Sequence, residues 1–309
     1  MKQTIFQNAT LFLWVSLMAS SFVVSQDLLP FTSPIVGTAM RFILGSILML
    51  PFVLYQWSSL NKKSLNEKSF SVKVFIQYGL ISLFLVLFFV GLFTALKSTS
   101  PLHTSVIYSL VPVMSVLFTF IGLKVVTPKH QLLGFLLGIM GAVWVLLSLQ
   151  PTPSGLGNIN SGDAIFLLAC CSLSMHVTLV KKWGSQVPAV LGAFYIMLCG
   201  SIILLPIILL FSPLENTAWQ DFNFWKILLY LTVFTTMATF FLQQHLVQTV
   251  GPNRLLAFTY LIPILVAIPQ VYVLMIQDGD LSLMLYSLPG IMLTLLALYL
   301  ISKQPKFAI

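Results

Sequence analysis

The sequence predicts an all-α polytopic membrane protein whose ten transmembrane helices form two inverted five-helix repeats. The first observation is composition: hydrophobic residues make up 58% of the 309 positions and charged residues 7%, whereas soluble domains carry about 25% charged residues. The second is the number of apolar stretches long enough to cross a bilayer as a helix, which is ten. The third is the recurrence of short motifs in the two halves of the chain.

Apolar runs and the breakers between them give the expected spans in chain order. A helix satisfies its own backbone hydrogen bonds and crosses the hydrocarbon core with about 20 residues. No connection is long enough to hold a soluble domain, so residues 1–155 form the first repeat and residues 156–309 the second. The expected spans are 9–26, 33–56, 73–96, 101–123, 129–149, 162–180, 188–211, 225–247, 252–275 and 283–302.

The first span has an alternative interpretation. Lys2, followed by an apolar run from Ala9 to Val24 and then small residues, also matches a secretory signal peptide. Its removal would leave nine helices and deprive the corresponding span of the second half of its partner. A retained first span is therefore preferred.

Positive charge sets the expected orientation, because cytoplasmic loops of membrane proteins are enriched in Lys and Arg. With a cytoplasmic N-terminus, only Lys97 and Lys226 fall outside, and Arg41 lies within a span. We therefore expect an integral protein of a bacterial inner (cytoplasmic) membrane with both termini cytoplasmic, and no nucleic-acid partner for its net charge of +8. The twelve cytoplasmic positions are Lys2, Lys62, Lys63, Lys68, Lys73, Lys124, Lys129, Lys181, Lys182, Arg254, Lys303 and Lys306.

The repeat is visible in three sets of matched positions. The offset is 155 residues between spans two and seven, and 151 or 152 residues for the other sets. Since each half has an odd number of spans, the second half must cross the membrane in the opposite sense, as in many secondary transporters. The matches are Gly45-Ser46-Ile47 with Gly200-Ser201-Ile202, Pro51 with Pro206, Pro101 with Pro252, Pro112 with Pro263, and Gly138-Ile139-Met140 with Gly290-Ile291-Met292.

Pro112 and Pro263 are predicted to interrupt the fourth and ninth spans. Each lies eleven residues into its span, which is about 16 Å at the rise of an α-helix and close to the middle of a core about 30 Å thick. Proline removes a backbone hydrogen bond and favours a kink. A purely structural kink is one interpretation; the pairing of two kinks at the midplane favours a gating role.

A polar stripe runs down the eighth span. Thr232, Thr236, Thr239 and Gln243 recur at helical spacing, whereas the aligned positions of the third span are apolar. We interpret the stripe as the polar wall of a substrate cavity; the alternative is threonines that bond their own helix and pack at an interface. The other expected lining residues are Ser20, Tyr108, and, for an apolar wall, Phe88 and Phe89.

Two further side chains with polar chemistry lie inside spans. Arg41 would cost about 2.5–3.5 kcal/mol at a helix centre; it either reaches the interface, or pairs with a substrate carboxylate, or pairs with Asp27 or Asp163. His176 lies near the midplane of the sixth span and could couple transport to protons. The alternative for His176 is a hydrogen-bonded histidine at a helix interface.

These residues resemble the drug/metabolite transporter superfamily, specifically its EamA-type branch. The resemblance covers essentially the whole chain and implies ten helices, cytoplasmic termini, alternating access, and a central cavity lined mainly by spans 1, 3, 4, 6, 8 and 9. It does not imply one substrate. It rests on Trp14 through Ser20-Ser21-Phe22, Arg41-Phe42 with Pro51, Ala95-Leu96-Lys97-Ser98-Thr99-Ser100-Pro101 with Pro112, Gly162-Asp163, and Gly251-Pro252 with Pro263.

The expected function is secondary or facilitative transport of a small neutral or zwitterionic metabolite, with amino acids or related compounds as the leading class and export as the direction. No Asp or Glu lies deep within a span, which disfavours lipophilic cations because they require a buried counter-ion. A lipid-translocating protein remains an alternative. A membrane-embedded enzyme is disfavoured, because the sequence contains neither H-E-x-x-H nor paired intramembrane aspartates.

No cofactor or metal is expected. Cys170, Cys171 and Cys199 lie inside apolar stretches, without C-x-x-C or Cys/His spacing. The expected partners are the small-molecule substrate and the lipid bilayer, and a homodimer is left open.

Overall fold

The computed structural model describes residues 2–59, 71–149, 160–211, 214–278 and 282–302. Within these ranges every regular element is helical, and ten helical spans are long and apolar enough to cross a membrane. The predicted class, an integral all-α membrane protein, is confirmed. The α-helices are α1 (Lys2–Leu28), α2 (Pro34–Ser59), α3 (Val72–Ala95), α4 (Pro101–Tyr108), α5 (Val111–Leu123), α6 (Lys129–Ser148), α7 (Ser161–Trp183), α8 (Ala189–Phe211), α9 (Phe222–Thr232), α10 (Thr239–Thr249), α11 (Pro252–Phe258), α12 (Ile262–Asp278) and α13 (Ser282–Ser302).

Three spans consist of two helices each. The fourth is α4 with α5, the ninth is α11 with α12, and the eighth is α9 and α10 joined by a π-helix, Val233–Ala238. Five of the lysines that predict the orientation, and the predicted repeat boundary at residue 155, lie outside the described residues. The orientation stays a prediction. The orientation residues concerned are Lys62, Lys63, Lys68, Lys303 and Lys306.

Side-chain caps fix where several helices begin. Ser71 accepts a hydrogen bond from the backbone N–H of Val74 at the start of α3. Before α7, Asn160 and Asp163 form a capping box, in which each side chain accepts from the backbone of the other at 3.1 and 3.2 Å. This satisfies N–H groups that the first helical turn leaves unpaired. The capping box also holds the Asp163 carboxylate at the N-terminal end of α7.

The second and seventh spans pack against each other through their repeated glycines. A Cβ on Gly45 would lie 2.7 Å from Met197 Sδ, and a Cβ on Gly200 would overlap the Phe42 ring. At the offset of 155 residues Phe42 corresponds to Met197 and Gly45 to Gly200, so the two contacts join equivalent positions of the two halves and are reciprocal. Phe42, the earlier residue on α2, contacts Gly200, the later residue on α8, and Gly45 contacts the earlier Met197. The two equivalent helices therefore run antiparallel. The predicted inversion of the repeats is confirmed.

The fifth and tenth spans, α6 and α13, repeat this arrangement. A Cβ on Gly141 would lie 2.7 Å from the Gly290 carbonyl oxygen, and a Cβ on Gly290 would lie 2.8 Å from that of Gly141. Earlier on α6, Gln131 donates to the Ile301 carbonyl, later on α13, so these helices are antiparallel too. Gly138, the motif match of Gly290, packs instead against an aromatic ring of the ninth span. Small residues allow the close approach that stabilises helix pairs in lipid.

The fourth and ninth spans are broken at equivalent positions. Ser109 and Leu110 separate α4 from α5, and the 3₁₀ turn Thr259–Leu261 separates α11 from α12. Pro112 and Pro263 are each the second residue of the helix that follows, where a missing N–H removes no helical hydrogen bond inside that helix. The predicted interruptions are confirmed, and their gating role stays a prediction.

The two halves differ in the π-helix of the eighth span. The equivalent third span is one uninterrupted α-helix, Val72–Ala95, whereas Val233–Ala238 is wound with one extra residue per turn. Insertions of this kind occur frequently at functional sites. The side chains of this segment are therefore candidates for a functional role.

Candidate functional site

Aromatic side chains from both halves form one buried cluster between the repeats. Neighbouring ring centroids lie 5.2–6.2 Å apart, mostly edge to face, which is a favourable geometry for aromatic pairs. No member is more than 5% exposed. The cluster is drawn from α1, α2, α3, α4, α7 and α10, and it consists of Phe22, Phe42, Phe88, Phe89, Tyr108, Phe166 and Phe240. Three predicted lining residues, Phe88, Phe89 and Tyr108, are thus brought together.

Arg41 lies against this aromatic cluster and is only 1% exposed. Its guanidinium carbon is 4.6 Å from the centroid of the Phe89 ring, a distance at which a cation is attracted to the ring face. Its Nε donates to Thr236 Oγ1 at 3.0 Å and its Nη2 donates to Thr235 Oγ1 at 2.9 Å. Arg41 thus connects the second, third and eighth spans.

The π-helix explains why two consecutive threonines face one guanidinium. The hydroxyls of Thr235 and Thr236 both donate to the carbonyl of Leu231, each at 2.9 Å. Their hydrogens are then directed to the helix, and their oxygen lone pairs are free to accept from Arg41. Thr235 was not part of the predicted stripe, although it lies three residues after Thr232 and four before Thr239 and therefore shares their face of an α-helix. Helical spacing could have found it.

The described residues provide Arg41 with no carboxylate within salt-bridge distance, and Nη1 is buried without a hydrogen-bond partner. Asp27 is exposed, and Asp163 accepts from Thr99 Oγ1 at 2.7 Å while capping α7. Two of the interpretations offered for Arg41 are therefore wrong: it neither reaches the interface nor pairs with Asp27 or Asp163. Its position about 10 Å into α2 and the two threonines together hold it inside the protein.

His176 and Gln243 form a second polar contact between the halves. His176 Nδ1 lies 2.9 Å from the Ile81 carbonyl oxygen, and its Nε2 lies 3.2 Å from Gln243 Nε2. The carbonyl accepts a hydrogen bond from Nδ1, and with the Gln243 amide in this orientation Nε2 accepts from it. A half-turn of the Gln243 amide would present its oxygen to a protonated Nε2. The pair can therefore accommodate the ring with or without the second proton.

The remaining predicted residues have different surroundings. Thr239 is fully buried and donates to the carbonyls of Thr235 and Thr236, within its own span. Ser20 donates to the Leu17 carbonyl and accepts from the Tyr230 hydroxyl at 3.0 Å. Tyr230 had not been predicted, since no helical stripe includes it. Whether any of these residues binds substrate stays a prediction.

If His176 couples transport to protons, replacing it with glutamine should remove the dependence of transport on an imposed pH gradient. Glutamine can donate to Ile81 and pair with Gln243, but it cannot take up a proton near neutral pH. One pH unit is worth about 1.4 kcal/mol per proton, hence a change of up to about tenfold. The measurement is initial transport rate in proteoliposomes, with and without the gradient.

His245→Gln is the matched control for this experiment, because His245 is exposed on the same helix as Gln243 and stacks on Phe241. It should leave both the rate and the gradient dependence unchanged. If His176→Gln behaves like this control, His176 has a structural role only.

The model of the EamA-like transporter family matches the chain at residues 7–147 and again at residues 160–303. The chain belongs to the EamA-like transporter family. It is therefore a membrane transporter of the drug/metabolite transporter type, and each half of this EamA-like transporter matches the family separately, in agreement with the inverted repeat.

The fold of this EamA-like transporter also occurs in a solved structure. A solved crystal structure with 19% sequence identity matches it with a TM-score of 0.65 over 95% of each chain. At this identity the likeness shows the fold alone. No curated protein matches the chain.

The interior of this EamA-like transporter differs in one respect from what the resemblance implied. The aromatic cluster and the polar contacts come from spans 1, 2, 3, 4, 6 and 8. The second span contributes Arg41 and Phe42, whereas the ninth contributes no member. The second span takes part because Gly200 leaves space for the Phe42 ring at the crossing of α2 and α8.

Proposed function

We propose that this protein moves a small neutral or zwitterionic metabolite, an amino acid or a related compound, across the membrane by alternating access and in the direction of export. The observation that carries the proposal is the collection of unlike side chains at the boundary between the halves. An aromatic surface, a guanidinium and a histidine–glutamine pair are all buried between the same spans. Such a mixture is typical of sites that bind small molecules.

The packing of the two halves supports alternating access. The reciprocal contacts of α2 with α8 allow one half to rock against the other, and the broken spans carry no continuous helical hydrogen bonding through Pro112 and Pro263. Interrupted helices at the repeat interface are common in secondary transporters. In this proposal the described arrangement, with Thr239 and His176 no more than 1% exposed, is a closed state of the cycle.

The proposal is tested by counterflow in proteoliposomes, with radiolabelled amino acids and nucleosides as the probes. Saturable exchange of a small solute is expected, with external solute accelerating the exit of internal solute. Scrambling of a fluorescent phospholipid is measured in the same vesicles. Lipid scrambling without solute exchange would overturn the proposal and favour lipid translocation.

Opening of the interior gives a prediction that does not depend on measuring flux. In a chain whose three free cysteines are replaced by alanine, Thr239→Cys should react with a water-soluble thiol reagent only when the site opens. Transported solute should slow the reaction roughly tenfold at saturating concentration. The measurement is the time course of labelling in vesicles.

Thr249→Cys is the control for labelling, because Thr249 is exposed on the same helix and hydrogen bonds only to the His245 carbonyl. It should be labelled at the same rate with or without solute. If Thr239→Cys never reacts with the thiol reagent and Gln243→Ala transports normally, the polar stripe serves helix packing only.

A further inference from the structure

We propose that Arg41 binds the carboxylate of the transported solute, and that the site selects monocarboxylates with an apolar body whether or not they carry an amino group. The inference rests on the proposed function and specifies its substrate class. It starts from the guanidinium, which carries five N–H donors. Two of these are paired with Thr235 and Thr236, and the buried Nη1 has no partner.

Burying a positive charge without a counter-ion costs free energy, and an anion that binds with matching geometry lowers that cost. The planar fork of arginine pairs with a carboxylate through two parallel hydrogen bonds. Thr235 and Thr236 hold the other side of the same group and so fix its orientation. The Arg41 guanidinium is therefore an oriented donor, more than nine-tenths buried, whose Nη1 lacks an acceptor.

The fold itself does not require this arginine. The equivalent position in the second half is Ile196, which packs in the same inter-repeat contact and receives a hydrogen bond at its backbone carbonyl from Ser82. The positions equivalent to Thr235 and Thr236 are Phe84 and Leu85 in the third span. The charge thus occurs only in the first half, and its two acceptors and the π-helix only in the second, and they meet at one point.

The surroundings define what else the solute carries. Arg41 is the only Lys or Arg among the side chains that make up these buried contacts, so the site balances one negative charge. No carboxylate among the described residues lies within reach of Arg41 to receive an ammonium group. The Phe89 and Phe93 rings lie 4.6 and 5.7 Å from the guanidinium carbon, which places apolar surface beside the anion site. An amino group is therefore dispensable, and an apolar body is favoured.

The test uses matched probes and a readout that does not require transport. Leucine, 4-methylpentanoate and leucinamide share one carbon skeleton; the second lacks the amino group and the third lacks the carboxylate. Equivalent sets are prepared on the skeletons of valine and methionine. Binding is measured as the rise in unfolding temperature of the purified detergent-solubilised protein and as competition in counterflow.

In the wild type, the carboxylates with and without an amino group should bind within about threefold of each other, and the carboxamides at least about tenfold more weakly, as expected for a charge-assisted hydrogen bond. Arg41→Met should bind carboxylate and carboxamide equally. Arg254→Met is the matched control, since Arg254, the second of the two arginines, bonds Asn8 near the protein surface; it should keep the wild-type preference.

Stability separates a substrate-binding arginine from a structural one. Arg41→Met removes a buried charge without a counter-ion and should leave the ligand-free unfolding temperature unchanged or raised. If no carboxylate in any set stabilises the wild type more than its carboxamide does, the inference is overturned. Counterflow of uncharged solutes in that case would leave the proposed function standing.

Discussion

Replacing Gly200 with leucine should destabilise the folded protein strongly. Any side chain at this position meets the Phe42 ring, and the ring is itself held by contacts with Phe89 and Phe240, so it cannot move without disturbing the cluster. Overpacking of a dense core costs about 1–3 kcal/mol and more when the neighbour is rigid. We expect a fall in unfolding temperature of roughly 10 °C or more, measured by tryptophan fluorescence in detergent.

Two glycines provide the comparison. Gly45→Leu should cost less than Gly200→Leu, because the atom in its way is Sδ of the flexible Met197 side chain. Gly122→Leu should be neutral or slightly stabilising, since a Cβ there meets nothing within 4 Å and leucine has the higher helix propensity. Equal unfolding temperatures for the Gly200 and Gly122 variants would contradict the reciprocal contact of α2 with α8.

Replacing Pro112 and Pro263 together with alanine should slow transport by about 30- to 150-fold while leaving solute affinity close to that of the wild type. Each alanine restores an N–H that can bond to the carbonyl four residues earlier, on Tyr108 or Thr259, and makes the broken span continuous. Two such bonds would stabilise the straight form by about 2–3 kcal/mol, which adds to the barrier if the breaks must flex in each cycle. Counterflow rate and solute affinity are measured on the same preparation.

Pro51 and Pro206 allow a matched control, because they too are equivalent in the two halves but lie inside the continuous helices α2 and α8. Their double alanine variant should transport at close to the wild-type rate. If both double variants lose rate equally, the breaks at Pro112 and Pro263 have no special part in gating.

The spans and their inversion could be predicted because they depend on features that are local in the sequence. Apolar length determines a membrane helix, and an odd number of spans per repeat determines the inversion. The recurring motifs predicted the repeat but not the contacts that it makes. Gly45 and Gly200 both lie at the crossing of α2 and α8, whereas of Gly138 and Gly290 only Gly290 lies at the close approach of α6 and α13, because contact depends on which helix faces meet.

The interior could be predicted only in part. Phe88 and Phe89 were predicted as an apolar wall and Tyr108 as a separate lining residue, and the structure brings the three rings together in one cluster; their contact with substrate stays a prediction. Thr235 was missed although its spacing to Thr232 and Thr239 places it in the same stripe. The environment of Arg41 depends on a contact across 194 or 195 positions of sequence, which no local pattern encodes, and the interface-reaching interpretation was therefore wrong.

The π turn in only one of the halves has a kinetic consequence. Two identical halves would give inward-open and outward-open states of equal free energy, because exchanging the conformations of the halves converts one state into the other. With Val233–Ala238 wound differently from the third span, that degeneracy is lifted. In the proposed alternating-access cycle, the empty carrier would then rest predominantly facing one side, and the half-saturation concentrations for solute would differ between the two sides. For a carrier without energy coupling, microscopic reversibility keeps the ratio of maximal rate to half-saturation concentration equal from both sides. One direction of flux would therefore be faster only when solute approaches saturation, and equal at low solute concentration.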